Sequence, residues 1–291
     1  MSSPTSYERL YSDTISSVVS IYVADRTPDA GGTGSGFVYE STDGRGHLLT
    51  NQHVVGEAPA VDVRFSDGTW SVGEVVGTDA YTDLAVVAVE DLPEEAEPLP
   101  MAASNPRPGQ PVAALVTSDT LGAHADRDSV TGTVSVVGVD RARAGHNIGF
   151  AVSAVVVRRV APVLLRDGTY RHPHLKMKTL DVSPTVAEAN SLDEPGGVLV
   201  MDVRLGPSSG ALPGCEETRT VRGREVPIGG DVIVGVDDTR IRSHEELMRY
   251  LLLETKPGEP IDVRLLRDGE PIDEALTLGE RPATDAHAAV A

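Results

Sequence analysis

Residues 34–55 read GSGFVYESTDGRGHLLTNQHVV, and residues 80–89 read AYTDLAVVAV. Both stretches contain short runs rich in Val and Leu that are bounded by Gly, Asp and Asn, which is the pattern of β-strands separated by tight turns. An ionisable residue stands at a strand boundary in each stretch, His53 after LLTNQ and Asp83 before LAVVAV. The two stretches therefore predict a β-rich fold that presents a His and an Asp at strand ends.

The rest of the first half repeats this pattern of short, Val-rich runs, which indicates a sandwich or barrel. The turn sequence SDGT predicts a hairpin over 61–77. The acidic, proline-rich stretch 91–100 is interpreted as a linker between two half-domains. Helical periodicity predicts a short helix leading into a strand over 7–19 and a longer helix over 154–167.

The sequence pattern changes after residue 170, where strand-like runs alternate with two helical segments. The first helix is predicted to begin after Ser183, whose hydroxyl precedes Pro184. The second is predicted to begin after Ser243, with Glu246 three residues later forming a capping box. An RDGE sequence predicts a hairpin between the last two strands. These residues predict a separate compact α+β domain.

The charge balance is strongly acidic. The chain has 44 acidic and 25 basic residues, a formal charge of −19, and three of the bases are lysines. Such a surface stays soluble where salt screens charge over a few ångströms, which predicts a halophilic host. The alternative, an acidic patch for a basic partner, is less favoured because the acids are spread along the chain. Nucleic-acid binding is not expected, since no basic stripe is present.

The sequence contains no apolar run long enough to cross a membrane. Its polar start, MSSPTSYERLYSDT, lacks the basic and apolar parts of a secretory signal. We therefore expect a cytoplasmic protein without a membrane span; a chain that begins after a removed leader is the alternative.

Metal and thiol chemistry receive little support. His172 and His174 form an HxH pair, but two ligands without a third are weak, and exposed loop histidines are the expectation. Asp237 and Asp238 are interpreted as a turn and not as a calcium site. The single cysteine, Cys215, stands beside two acids that would raise its pKa, so it is interpreted as a spare surface thiol. We predict no metal and no cofactor.

His53 and Asp83 suit acyl transfer, which needs a nucleophile, a base that takes its proton and an acid that orients the base. A His at a strand end can act as a general base, although either residue alone would be interpreted as a turn residue. No GxSGG nucleophile turn occurs in the chain. The other serines considered as a nucleophile are Ser35, Ser118, Ser129, Ser135, Ser208 and Ser209, and none stands in such a turn.

The chain resembles the HtrA/Deg family of trypsin-fold endopeptidases that carry a PDZ domain. The motifs that carry the resemblance are GTGSGFVY, LLTNQHVV, YTDLAVVAV, NIGFAVSAVVVRRVAPVLLRDG and VPIGGDVIVGVDDTRIRSHEELMRYL. The resemblance implies a mainly β chain, a chymotrypsin/trypsin-like double β-barrel followed by an α+β PDZ domain. It also implies that His53 is the catalytic base and Asp83 the acid that orients it.

One departure from the family is large. In the family a strand pair carrying a GNSGGP turn precedes the GFA strand, whereas here residues 143–145 lead straight into HNIGFAV. The second barrel is therefore expected to be truncated, with the nucleophile and the oxyanion-hole N–H groups missing. The expected segments are an N-terminal helical segment (1–19), a trypsin-like domain with an incomplete second barrel (20–168), a PDZ domain (169–281) and a tail (282–291).

By resemblance the function is serine endopeptidase action on, or binding of, unfolded polypeptides in protein quality control, and we expect the chain to be inactive. The alternatives are an active enzyme with an unrecognised nucleophile, and a PDZ scaffold that co-assembles with an intact paralogue. Homo-oligomers are also implied. The expected peptide-binding loop is His174-Leu175-Lys176-Met177, with Lys176 where the family has the Gly that turns N–H groups toward a terminal carboxylate.

Overall fold

The structure is a computed structural model of the 291-residue chain. It describes residues 7–23, 32–107, 109–110, 115–118, 122–125, 136–140, 150–203 and 212–282. The chain forms two compact units, the first ending at Tyr170 and the second beginning at Arg171. Within the described ranges no helix combines the length and the apolar character needed to cross a membrane.

The first unit is built on a closed, antiparallel barrel of six strands in the order β1-β2-β3-β6-β5-β4. A helix α1 (Tyr7–Thr14) and a short 3-10 helix (Ile15–Ser17) precede it. The strands are β1 (Val18–Val23), β2 (Gly32–Thr42), β3 (Arg45–Thr50), β4 (Ala60–Arg64), β5 (Trp70–Asp79) and β6 (Leu84–Val89), with a short helix α2 (Gln52–Val55) after β3. The predicted 61–77 hairpin is confirmed as β4 and β5, which pair in antiparallel register.

β6 shows why a run of apolar residues is needed at the centre of this unit. Ala85, Val87 and Val89 fill the barrel interior, whereas Leu84 and Val86 point outward into a second apolar cluster. Alternate side chains of a strand face opposite sides, so a strand covered on both sides is apolar throughout. The helix that covers the outer side is α3 (Ala154–Asp167), as predicted.

α3 approaches the barrel closely. A Cβ atom built on Gly77 of β5 would lie 2.5 Å from the backbone oxygen of Leu164, so only glycine fits there. Ser153 caps the start of the helix by accepting a hydrogen bond from the Val155 N–H, and Gly168 ends it in the left-handed conformation at φ 75°.

The linker predicted at 91–100 has no regular structure but is packed and not loose. Ala96 belongs to the barrel core, and the Leu99 N–H donates to the Val38 carbonyl at 2.9 Å. Beyond it the described strands form two hairpins and not a second closed barrel. These strands are β7 (Leu115–Ser118) with β8 (Gly122–Ala125), and β9 (Val136–Asp140) with β10 (Phe150–Ser153).

The second unit is an α+β domain with a six-stranded sheet, in the order β12-β13-β16-β18-β19 with β17 beside β16. One face packs on helix α5 and the other on helix α4 and a separate hairpin, β14–β15. The elements are β11 (Pro173–His174), β12 (Met177–Asp181), α4 (Pro184–Ala189), β13 (Val198–Val203), β14 (Glu217–Val221), β15 (Arg224–Ile228), β16 (Val232–Val236), β17 (Thr239–Arg240), α5 (His244–Glu254), β18 (Pro260–Arg267), β19 (Glu270–Thr277) and β20 (Gly279–Glu280). β11 pairs with β20.

Both predicted helix caps of this unit are confirmed. The Ser183 hydroxyl accepts from the Val186 N–H, and the Ser243 hydroxyl accepts from the Glu246 N–H. Glu246 differs in one detail, because its carboxylate accepts from the backbone N–H of Arg242 and not from that of the cap residue.

Candidate functional site

His53 lies in α2, the single helical turn that follows β3, and not at the strand end itself. Asn51 leaves the strand in an extended conformation, and Gly56 ends the turn at φ 57°. α2 packs on β2 so closely that a Cβ on Gly34 would lie 2.5 Å from a methyl group of Val54. Gly34, the middle glycine of the GTGSG sequence, therefore allows α2 to pack closely on β2.

Asp83 ends a turn between β5 and β6. It has a positive φ of 55°, which is a sterically unfavourable conformation for a residue with a side chain. Asp79, only 7% exposed, holds the turn from its other end: its carboxylate accepts from the Tyr81 N–H and, at 2.5 Å, from the Thr82 hydroxyl. The turn thus presents the Asp83 carboxylate toward α2.

The structure brings His53 and Asp83 together although 30 positions separate them. Nδ1 of His53 lies 2.7 Å from Oδ2 of Asp83, and the His53 backbone N–H donates to Oδ1 at 2.9 Å. An ionised carboxylate only accepts hydrogen bonds, so Nδ1 carries a proton, and in the neutral ring Nε2 keeps its lone pair. The His53 side chain is 45% exposed and that of Asp83 is 28% exposed.

Asn51 is a site residue that the sequence analysis missed. Asn51 is 4% exposed, and its Nδ2 donates to both the backbone oxygen and Oδ2 of Asp83, at 3.1 Å each. The Gln52 N–H also donates to the Asp83 carbonyl at 3.2 Å. The polar step between an apolar strand and a His was the only sequence signal for this role.

A second His–carboxylate pair lies on the same barrel. His47 of β3 and Glu40 of β2 are cross-strand partners, and Nδ1 of His47 lies 3.1 Å from Oε1 of Glu40. Their side chains are 31% and 49% exposed. No buried amide holds this carboxylate in the part of the barrel that the structure describes.

Of the six serines considered as nucleophiles, Ser35 and Ser118 lie in described strands. Ser35 lies in β2 opposite Ser20, and Ser118 ends β7. Across the described ranges no serine hydroxyl hydrogen-bonds to His53. The remaining candidates, Ser129, Ser135, Ser208 and Ser209, lie outside the described residues, as does the junction at 143–145.

The predicted peptide-binding loop joins β11 to β12. His174 ends β11, Leu175 is buried at 2% exposure, and Met177 begins β12. Lys176 adopts φ 53°, the left-handed conformation for which the family pattern has glycine. Its side chain folds over Gly279, since Cε lies 3.0 Å from where a Cβ on that glycine would stand.

β12 is an edge strand of the sheet, and α5 lies beside it. Met177 and Met248 pack here as partly buried apolar residues. Further along β12, Oγ1 of Thr179 and Nδ1 of His244 are 2.8 Å apart, and the His244 N–H donates to the Asp181 carboxylate at 2.5 Å. The start of α5 is therefore hydrogen-bonded to β12.

The remaining sequence candidates give two corrections. His172 is not an exposed loop residue: it is 5% exposed, and its carbonyl accepts a hydrogen bond from the Arg281 N–H next to β20. The pKa of Cys215 is raised by burial of the thiol, and neighbouring acids are not the cause. Asp237 forms the predicted turn, between β16 and β17. Within the described ranges no three His, Cys, Asp or Glu side chains cluster as metal ligands.

Two family profiles match the chain. The trypsin-like peptidase domain matches residues 34–169, and the PDZ domain matches residues 175–278. Among curated proteins, the chain is similar to the serine protease Do-like HtrA of Bacillus subtilis, at 24% identity over 86% of this chain and 64% of that protein. It is also similar to the Escherichia coli proteases DegQ (24% identity; 88% of this chain, 61% of that protein) and DegS (25%; 87% and 78%). The chain thus spans roughly three fifths of the length of the first two relatives.

Solved structures share the fold. The HtrA-type protease AlgW with tripeptide superposes with a TM-score of 0.71 at 21% identity, over 95% of this chain and 98% of that one. The serine endoprotease from Yersinia pestis gives 0.65 at 23% identity, over 97% and 100%. The chain thus carries a trypsin-like peptidase domain followed by a PDZ domain, and it is similar to HtrA-type serine proteases over most of its length.

Proposed function

We propose that this chain is an HtrA-type protein that binds polypeptide segments without hydrolysing them through an acyl-enzyme. The observation that carries the proposal is a contrast. The base and its orienting acid are held in working geometry, with Nδ1 of His53 2.7 Å from Asp83, yet the 291 residues contain no GxSGG turn to supply a serine. Protein quality control is the setting in which such binding would act.

The energetic case rests on what the serine and the oxyanion hole contribute. Removing the nucleophile alone costs a serine protease about a millionfold in turnover. The backbone N–H groups of the oxyanion hole, which come from the same turn in the family, contribute roughly another hundredfold to thousandfold. A His–Asp pair without both cannot hydrolyse amides at a useful rate.

Peptide capture is assigned to the second unit. A peptide that adds beside an exposed strand edge gains backbone hydrogen bonds, and a loop beside that edge can hold its terminal carboxylate. β12 offers such an edge, Met177 and Met248 offer apolar contacts, and Lys176 has the left-handed backbone of the loop. AlgW has been solved with a tripeptide and with a decapeptide, which supports peptides as the ligand class.

Peptide capture is tested by titrating hydrophobic C-terminal peptides against the full chain and Lys176→Gly. We expect saturable binding that needs the free carboxylate, because C-terminal amidation removes the charge that the loop would hold. Weaker binding by Lys176→Gly would show that the ammonium contributes, and equal or tighter binding that the backbone alone does. Binding that ignores amidation would contradict this mode of capture.

Proteolysis is tested with unfolded casein and the variant His53→Ala. We expect no cleavage above that of the variant. Cleavage that His53→Ala abolishes would contradict the proposal and favour an active enzyme with another nucleophile.

The scaffold alternative predicts a mixed assembly when the chain is combined with an intact paralogue, measured by light scattering.

A further inference from the structure

Nε2 of His53 is a ring nitrogen of the first unit that can react without a serine. Nδ1 of His53 is bound to Asp83, so in the neutral ring Nε2 carries the lone pair. No hydrogen bond of the described residues involves Nε2, and 45% of the side chain is exposed. The neutral ring therefore presents one oriented and accessible nitrogen.

Asp83, which orients the His53 ring, is itself held by several hydrogen bonds. Both carboxylate oxygens of Asp83 accept hydrogen bonds, from the His53 N–H and from the His53 ring and Asn51. Its backbone oxygen accepts from Asn51 and Gln52. A carboxylate so fixed keeps the ring in one tautomer and stabilises positive charge that develops on it.

We propose that Nε2 of His53 is a nucleophilic acyl acceptor for activated acyl compounds, of which aryl esters are the class named here. Nε2 adds to the ester carbonyl and the bond to the phenolate oxygen breaks, leaving an acyl-imidazolium whose charge lies beside Asp83. Water then adds to the acyl carbon, the Nε2–carbon bond breaks, and the carboxylic acid and a proton are released. Overall, ester and water give acid and phenol.

The leaving group determines the substrate class. A phenolate is a stable leaving group, so the step proceeds without dedicated oxyanion donors, whereas an amine leaving from an amide needs both those donors and a proton. The inference therefore goes beyond the proposed function, and it depends on it only in that no serine intercepts the acyl group.

His47 is the matched control within the same barrel. It also pairs Nδ1 with a carboxylate, and its side chain is 31% exposed against 45% for His53. Exposure alone therefore predicts similar reactivity at the two rings. Only His53 has a carboxylate that Asn51 and a backbone N–H also hold.

The first test is site-resolved labelling of the full chain with diethyl pyrocarbonate, an activated acyl compound that leaves a stable ethoxycarbonyl group on imidazole. We expect His53 to react about tenfold or more faster than His47, and Asp83→Asn to remove that difference. Glu40→Gln should leave the His53 rate unchanged. Equal rates at the two histidines in the unmutated protein would overturn the inference.

The second test measures hydrolysis of p-nitrophenyl acetate. We expect His53→Ala to lower the protein-dependent rate roughly a hundredfold, with His47→Ala at the wild-type rate. Circular dichroism confirms that each variant is folded. A rate that His53→Ala leaves intact would overturn the inference. Pretreatment with a serine-directed fluorophosphonate separates the two proposals, because a rate lost on pretreatment places the acyl group on a serine and contradicts the proposed function as well.

Discussion

His47 in β3 and His53 just after β3 both pair Nδ1 with a carboxylate, but the two carboxylates are held differently. His47 in β3 meets Glu40 across a strand pair at 3.1 Å, and His53 just beyond β3 meets Asp83 at 2.7 Å. Glu40 is the more exposed carboxylate, at 49% against 28%. The first is a surface pair of the kind that contributes at most about 1 kcal/mol.

The difference lies in what holds the carboxylate and not in the His–carboxylate contact itself. Asp83 is held at a positive φ by a turn that the buried Asp79 closes, and Asn51 joins it to the chain before α2. Such strain persists only where the surroundings over-determine it, and it concentrates at functional sites. The His–carboxylate distance alone therefore does not distinguish the two pairs. The hydrogen bonds that hold the Asp83 carboxylate do distinguish them.

The largest expected effect comes from removing each carboxylate. Asp83→Ala deprives the buried Asn51 amide and the His53 ring of their acceptor, so we expect a loss of about 2–3 kcal/mol in the free energy of unfolding. Glu40→Ala should cost less than about 1 kcal/mol. Urea denaturation of both variants measures this, and equal losses would remove the distinction between the pairs.

The next effect concerns the tautomer. Asp83→Asn keeps the shape but offers an amide, so the Nδ1 proton of His53 loses its fixed acceptor and the ring can take the other tautomer. Nitrogen-resolved NMR should show His53 protonated at Nδ1 in the wild type and a mixture in the variant. His47 is the reference, and Glu40→Gln should change its spectrum only slightly. An unchanged His53 spectrum in Asp83→Asn would contradict the assignment.

A smaller effect is expected from Asn51→Ala. It removes two hydrogen bonds to Asp83 without touching His53, so we expect a stability loss of about 1–2 kcal/mol. The diethyl pyrocarbonate reactivity of His53 should fall while that of His47 stays constant. A variant that loses stability but keeps the full reactivity ratio would show that Asn51 supports the fold alone.

The smallest effect tests the packing under each ring. Gly34→Ala places a methyl group 2.5 Å from Val54 and must shift α2, whereas Gly46→Ala, beside His47, meets the flexible end of Leu92 at 2.9 Å. We expect Gly34→Ala to lower the ester rate severalfold, in line with the sensitivity of reacting groups to small displacements. Gly46→Ala should not change it, and the reverse order would contradict the packing argument.

Local sequence signals predicted much of the fold. α3 ends at Gly168 as the Asp-Gly pair indicated, and the caps at Ser183 and Ser243 form because short polar side chains there reach N–H groups two or three residues on. Hairpin β14–β15 was missed. β14 is polar and mostly exposed, and the turn is Arg222-Gly223, in which Arg222 takes φ 53° without being one of the usual turn residues.

The site was only partly predictable because its contacts are distant in sequence. His53 and Asp83 were singled out as strand-boundary residues and by resemblance, and their catalytic roles stay predictions. The Asn51 contacts and the positive φ of Asp83 depend on how α2 meets the turn after β5, which no local pattern encodes. The backbone hydrogen bond of His172 likewise joins it to Arg281, more than a hundred residues later, which no local pattern encodes.

The most direct test of the central claim is labelling of the folded full chain with a fluorophosphonate, read by intact mass and peptide mapping. The account predicts no serine adduct, because the sequence contains no GxSGG turn to present a serine to His53. A stoichiometric adduct on one serine that His53→Ala abolishes would contradict it, and would make this chain a working serine protease.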